Sequence, residues 1–268
     1  DGMLTDVPVP AVLREQYDWV VISFKRLAGL DATQRRLPQE GRGAVEVDGQ
    51  RLEMIVSSLP TGRGEHLAVR FLHTAPLPGL ARLGLNAEQH RRLALLLARR
   101  SGLLLVTGPA GCGASTTLYA CLASLNSGGS HIMTIEERIE HELPGLTQVQ
   151  AQPGAGLTYA DGLRSVLRHD PNVVMVAELP DQDTARLAVR AALTGRLVLA
   201  NLHTHDASGA VTRLLDLGIE PFFLCSTVSG ILSQRLLRRL CPSCRQPGKL
   251  DASALTSAVS TDCDDADP

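Results

Sequence analysis

The sequence predicts an α/β protein with a mainly parallel sheet, preceded by a small α+β unit. Three observations carry the prediction. Beyond residue 85, short apolar runs alternate with helical segments, the pattern of buried parallel strands and their crossover helices. One run, residues 103–107, leads directly into the Gly-rich stretch Gly108-Pro109-Ala110-Gly111-Cys112-Gly113, after which residues 115–125 read as a helix. Before residue 74 the pattern differs: two alternating runs flank Asp48-Gly49, a tight hairpin signal.

Residues 12–28 carry Val12, Leu13, Trp19, Val20, Ile22 and Leu27 at helical spacing. The hairpin strands follow at 44–47 and 50–57, and residues 66–72 supply a third strand. A helix against a small antiparallel sheet accounts for residues 1–73. Residues 74–85, with Pro76, Pro78 and Gly79, read as a linker. Residues 86–99 form an amphipathic helix and open the α/β core, which runs to about residue 247. Its strands at 131–135, 172–177 and 197–202 run into Glu136-Glu137, Glu178 and His203 respectively. Ligands of open α/β sheets sit at the carboxyl ends of the strands, so these residues converge on the Gly-rich loop. Residues 248–268 are polar and acidic, with a disordered composition.

Composition narrows the function classes. The chain has 268 residues, 44% hydrophobic and 20% charged, enough for a globular core. A net charge of −2 and an aromatic content of 3% argue against a nucleic-acid partner, which needs basic grooves and stacking platforms. No apolar run is long enough to insert directly into a membrane. The opening Asp1-Gly2-Met3 has no signal-peptide character and reads as an internal boundary. Of six cysteines, Cys112, Cys121 and Cys225 read as small buried hydrophobes. Cys241 and Cys244 form a C-x-x-C, half of a zinc site. Cys263 is a possible third ligand, and no fourth follows, so zinc would be incompletely held.

The Gly-rich stretch matches a phosphate-binding loop, G-x-x-x-x-G-K-[ST], at Gly108, Gly113 and Ser115, with Gly111 inside it and Thr116 just after. Ala114 stands where the lysine belongs. That lysine places a cation against the β- and γ-phosphates, so its loss removes affinity and charge stabilisation together.

Taken in order, the motifs resemble the secretion ATPase family of type II secretion and type IV pilus assembly or retraction. The resemblance rests on Arg36-Leu37-Pro38-Gln39-Glu40-Gly41-Arg42, on Ser57-Ser58-Leu59-Pro60-Thr61 with Gly64-Glu65, and on Thr134-Ile135-Glu136-Glu137. It continues with Gly156-Leu157-Thr158-Tyr159, Ala177-Glu178 and Leu202-His203-Thr204 with Asp206-Ala207. It implies a RecA-like P-loop core behind a PAS-like N-terminal subdomain, with protomers in a ring, usually hexameric. It also implies ATP or ADP with Mg²⁺ between the two units. Glu136, Glu137, Glu178 and His203 would then be inherited catalytic positions, and Gly108, Gly111, Gly113, Ala114, Ser115 and Thr116 the nucleotide loop. Partners would be secretion or pilus machine components at the cytoplasmic face of the inner membrane, which would hold the chain there peripherally.

The departures share one character. Besides Ala114, the family's Arg-Val-Ser reads Ile55-Val56-Ser57, and its Glu-Ile-Arg-Asp reads Glu178-Leu179-Pro180-Asp181. Cations that would meet phosphate are missing while the carboxylates remain. The expectation is a degenerate family member with little or no ATP hydrolysis, serving as an interaction or regulatory subunit. The alternative is an active hexameric motor in which Ala114 is an engineered replacement. That explains Ala114 but neither Ile55 nor Pro180.

Overall fold

A computed structural model describes residues 6–62, 64–72, 77–126, 128–241 and 243–246. Helices α1 (Ala11–Glu15) and α2 (Tyr17–Leu27) precede three antiparallel strands, β1 (Gln39–Val47), β2 (Gln50–Thr61) and β3 (Gly64–Leu72), in the order β1-β2-β3. Asp48 and Gly49 turn the first hairpin with φ of 52° and 74°. Both are positive, as a two-residue I′ turn requires. The end of α2 lies almost on the backbone of β1. A Cβ on Gly43 would meet the Leu27 carbonyl oxygen at 2.2 Å, and one on Gly41 the Ala28 oxygen at 2.4 Å. Part of the signature around Arg36 to Arg42 is therefore a packing requirement.

This N-terminal core is small. Ala28, Met54 and Val56 are buried, with Phe24, Leu30, Val45, Leu67 and Val69 against them. It also holds an ion pair. Lys25, with none of its side chain exposed, bonds the Glu65 carboxylate and donates to the Gln34 carbonyl oxygen at 2.7 Å. The Ser58 hydroxyl donates to the same carboxylate at 2.7 Å. Burial opposes the charge on Glu65, but the hydrogen bonds from Lys25 and Ser58 and the nearby cations outweigh it and hold the carboxyl below its ordinary value. The expected N-terminal helix is present as two pieces. Of its expected apolar residues, Val12, Leu13, Trp19 and Leu27 are exposed and Val20 and Ile22 half-buried, while Val21 and Lys25 are buried. Three strands offer only a narrow strip for a helix to cover.

The rest of the molecule is built on a six-stranded sheet: β4 (Gly102–Thr107), β5 (Ile132–Glu136), β6 (Thr147–Gln150), β7 (Val173–Val176), β8 (Leu197–Leu202) and β9 (Val228–Ser233). Their spatial order is β6-β5-β7-β8-β4-β9, and every pairing is parallel. The four central strands are buried along their length, as a sheet covered on both faces should be. Helices α3 (Ala87–Leu97), α4 (Ala114–Leu125), α5 (Tyr159–Leu167), α6 (Gln182–Leu193), α7 (Ala207–Asp216) and α8 (Pro221–Thr227) supply the cover. Their start points are written in the sequence. Asn86 and Gln89 close a capping box on α3, and Thr158, Asp181 and Asp206 cap α5, α6 and α7. Such a cap contributes about 1 kcal/mol.

One core cluster centres on Leu103, Leu105, Ile135 and Val176 with α5 to α8, and the other on Leu104, Val106, Met175 and Leu199 with α3 and α4. Among the described residues, no helix is long and apolar enough to cross a membrane. The expected tail at 248–268 lies outside the described residues, as does Cys263.

Candidate functional site: a phosphate loop facing four carboxylates

The loop between β4 and α4 has the backbone of a phosphate cradle. Gly111 and Gly113 have φ of 78° and 84°, a region open to glycine at little steric cost. Gly113 is the N-cap of α4 and offers no side chain to the first-turn N–H groups, and that turn carries no acidic residue. The helix N-terminus therefore presents free donors and its positive dipole end to the cleft. Gly108 is held by crowding: a Cβ there would meet the Gln234 carbonyl oxygen at 2.5 Å and Cys112 Sγ at 2.6 Å.

The residue that departs from the loop pattern points elsewhere. Ala114 is 6% exposed and belongs to the apolar cluster under the loop. Ser115 is exposed and lines a cavity of about 300 Å³; Thr116, next to it, is half-buried.

Glu136, Glu137, Glu178 and His203 line that same cavity, as their places at strand ends predict. Glu136 is 2% exposed and saturated with donors: the Tyr119 hydroxyl, the Thr134 hydroxyl at 2.5 Å and the Gln148 amide at 3.2 Å. Glu178 Oε1 lies 3.8 Å from His203 Nε2, and both side chains are partly exposed. Glu137 and Glu178 thus face the open cleft, whereas Glu136 is built into its wall.

Other cavity residues were not among the candidate site residues. Tyr119 and Tyr159 hold the acidic loop in place. The Glu137 N–H donates to the Tyr159 hydroxyl at 2.8 Å and the Glu140 N–H to the Tyr119 hydroxyl at 3.1 Å. Burial, reinforced by the neighbouring carboxylates, raises both phenol pKa values, so both stay protonated at neutral pH. Asn201 lines the cavity too. It is 6% exposed, and its Oδ1 is buried without a hydrogen-bond partner among the described residues.

Two arginines reach the cavity, Arg70 from β3 and Arg138 from the loop after β5. The cleft thus has two cations besides the positions Ala114, Ile55 and Pro180, where the family pattern has lysine or arginine. Ile55 is buried in β2 directly between Arg42 of β1 and Arg70 of β3. The arginine absent at that position is therefore next to one that is present. Pro180 is exposed just before the cap of α6.

The cleft combines the glycine-rich loop backbone with four carboxylates and has alanine, not lysine, at position 114. Among the oxygen-bearing residues that line it, Ser115 and Glu178 could serve Mg²⁺, which commonly takes one or two protein ligands plus phosphate. Zinc fares worse. Among the described residues no group of three or more His, Cys, Asp or Glu could hold a metal. Cys241 and Cys244 are exposed and free. Backbone N–H groups of Ser243 and Cys244, followed by the Cys244 thiol, lower the Cys241 pKa. The expected burial of Cys112 and Cys121 is found, with burial pushing the Cys121 thiol up to about 12. Cys225 is exposed, contrary to expectation, because it sits on the outward side of the short helix α8.

Known proteins resemble this chain over most of its length. Residues 1–267 match the family described as Type II/IV secretion system protein. The chain is 47% identical over 248 residues to the Type II secretion system protein E of Dickeya dadantii (strain 3937), covering 92% of this chain and 49% of that protein. It is 45% identical over 252 residues to the Type II secretion system ATPase E of Vibrio cholerae serotype O1 (strain ATCC 39315 / El Tor Inaba N16961), covering 94% and 50%. It thus spans about half the length of these relatives. Among solved structures, the pilus retraction motor PilT with bound ADP aligns at a TM-score of 0.63 and 33% identity, over 74% of this chain and 59% of that one. The six-stranded parallel core and its phosphate loop are RecA-like, as the sequence implies.

Proposed function

Because the chain belongs to the type II/IV secretion system protein family, we propose that it is a catalytically degenerate member, an interaction or regulatory subunit of a type II secretion or type IV pilus machine. One observation supports this above the others. The loop has the glycine geometry expected of a phosphate cradle, while position 114, where the pattern calls for lysine, is an alanine packed into the core. Charge stabilisation is the main contribution a protein makes to phosphoryl transfer. A cleft lined by Glu136, Glu137, Glu140 and Glu178 without that lysine is a poor host for the γ-phosphate.

On this reading ADP is held weakly and Mg²⁺ with ATP weakly or not at all. Ser115 and Glu178 would hold the metal when it binds, where it would neutralise phosphate charge. Glu137 would orient a water, and His203 would sit near the γ-phosphate position; both are idle without the missing cation. Glu136, tied to Tyr119, Thr134 and Gln148, shapes the wall. The protein would take its place in a homo- or hetero-oligomeric ring at the cytoplasmic face of the inner membrane, through its partners.

A second reading keeps the chain an active ATP-hydrolysing hexameric motor with Ala114 an engineered replacement. Its support is that Arg70, Glu137, Glu178 and His203 still line one cavity. Calorimetry with ADP and with Mg²⁺-ATP separates the readings. The degenerate protein binds ADP at least as well as Mg²⁺-ATP; sub-micromolar affinity for Mg²⁺-ATP contradicts degeneracy.

A further inference from the structure

Among the described residues, Arg138 is a cavity cation engaged across the two structural units. Its guanidinium donates to Glu40 Oε1 at 2.6 Å, linking the loop after β5 to β1 of the N-terminal subdomain. Glu40 also accepts from the Ser57 hydroxyl at 3.2 Å. The loop that carries Arg138 is pinned on both sides, by Tyr159 at Glu137 and by Tyr119 at Glu140. The guanidinium therefore projects into the cleft from a fixed base.

The ion pair itself is weak. Arg138 is 41% and Glu40 54% exposed, and pairs this open to water are screened and contribute little. A phosphate group is a better partner than a single surface carboxylate. It carries more charge and offers several acceptor oxygens, and guanidinium binds it bidentately. Around Arg138 the cavity presents Glu136, Glu137, Glu140 and Glu178, so an incoming anion needs every cation within reach. The loop lysine is missing, and Arg70 and Arg138 are the arginines that line the cavity.

We infer that Arg138 is a phosphate-binding residue of this cleft, a substitute cation for the absent loop lysine, and that Glu40 masks it until a phosphorylated ligand displaces the carboxylate. Exchange of Glu40 for phosphate breaks the tie between β1 and the core. Ligand binding and the freedom of the N-terminal subdomain are then linked through one side chain. The inference rests on reading the cavity as a nucleotide cleft, and it concerns binding, not hydrolysis.

The test is calorimetric titration of the full chain with ADP, and separately with inorganic pyrophosphate, comparing the parent with Arg138→Gln, Arg138→Lys and Glu40→Gln. Arg138→Gln should weaken both ligands about tenfold, the scale of one charge-assisted hydrogen-bonded contact. Arg138→Lys should fall between it and the parent. Glu40→Gln should tighten both ligands about threefold, because it removes a competitor of surface ion-pair strength. Thermal melts show that each variant is folded, and the Glu40→Gln arm decides the matter should Arg138→Gln fail to fold. Equal affinities for parent and Arg138→Gln overturn the inference. So does weakening by Glu40→Gln, which would make the pair structural, and so does absence of binding to all four proteins at millimolar ligand. ATP turnover by the parent would contradict degeneracy and leave this comparison intact, so the two failures are distinguishable.

Discussion

Gln234 and Thr117 tie the last strand to the phosphate-loop helix. The Thr117 hydroxyl donates to Gln234 Oε1 at 2.9 Å, and Gln234 Nε2 donates to the Cys112 carbonyl at 2.7 Å. The Gln234 N–H continues the ladder to Thr107 at 2.9 Å. A single side chain thus braces the loop from the residue just beyond β9, and Leu236 closes over Gly113, where a Cβ would stand 3.4 Å from its Cδ2.

Replacing Gln234 by leucine removes both side-chain bonds and leaves the Cys112 carbonyl and the Thr117 hydroxyl, both on buried residues, without that partner. The expected loss is about 1–3 kcal/mol of unfolding free energy, read as a lower midpoint in urea. An unchanged midpoint would show that the loop stands without its brace.

Gly43→Ala tests the contact between α2 and β1. The added methyl would lie 2.2 Å from a carbonyl oxygen of rigid backbone, so the helix must move. Overpacking of this kind costs about 1–3 kcal/mol. Gly62→Ala, at a turn where a Cβ meets nothing within 4 Å, serves as the control. Equal stability of the two variants contradicts the close packing of α2 on β1.

The Lys25–Glu65 pair predicts an acid-sensitive N-terminal subdomain. Glu65 is held below its ordinary value of 4.5. Its contribution is therefore present above that pH and lost as pH falls through the lowered value. Glu65→Gln should flatten the acid limb of the stability curve. Glu65→Ala should cost about 3–5 kcal/mol, since it leaves the buried Lys25 ammonium without its carboxylate. An acid limb identical in parent and Glu65→Gln would show that other carboxylates set it.

Restoring lysine at position 114 alone should not restore hydrolysis. Ala114 is one of several missing cations, and groups that act as a unit are strongly non-additive. Steady-state assays of Ala114→Lys against the triple change Ala114→Lys, Ile55→Arg, Pro180→Arg make the comparison. The structure adds a cost to the triple variant. An arginine at 55 stands between Arg42 and Arg70 on adjacent strands, and like charges directly opposite are unfavourable. Full rescue by the single change would favour the engineered-motor reading.

Much of this architecture was legible because its signals are local. Asp48-Gly49 specifies the hairpin, the apolar runs at 103–107 and 197–202 specify central strands, and the residues after each strand mark the cleft. The edge strands were not legible. β6 reads Thr147-Gln148-Val149-Gln150, too short and polar to declare itself, and β9 contains Gly230. The same limit hid part of the site. Arg70 and Arg138 enter the cavity from two separate elements, and Tyr119 and Tyr159 look like core aromatics until their hydroxyls are seen on the acidic loop. Arg70 joins the others only because the N-terminal sheet lies beside the core at this cavity.

The central claim is that a phosphate cradle survives here without its chemistry. Steady-state ATP hydrolysis by the full chain at high protein concentration, with and without Mg²⁺, tests it most directly. The account predicts no turnover above the protein-free background, because loss of one transition-state cation alone removes about 10³-fold or more in rate. Mg²⁺-dependent turnover that rises in proportion to protein concentration and disappears on Glu137→Gln would contradict it.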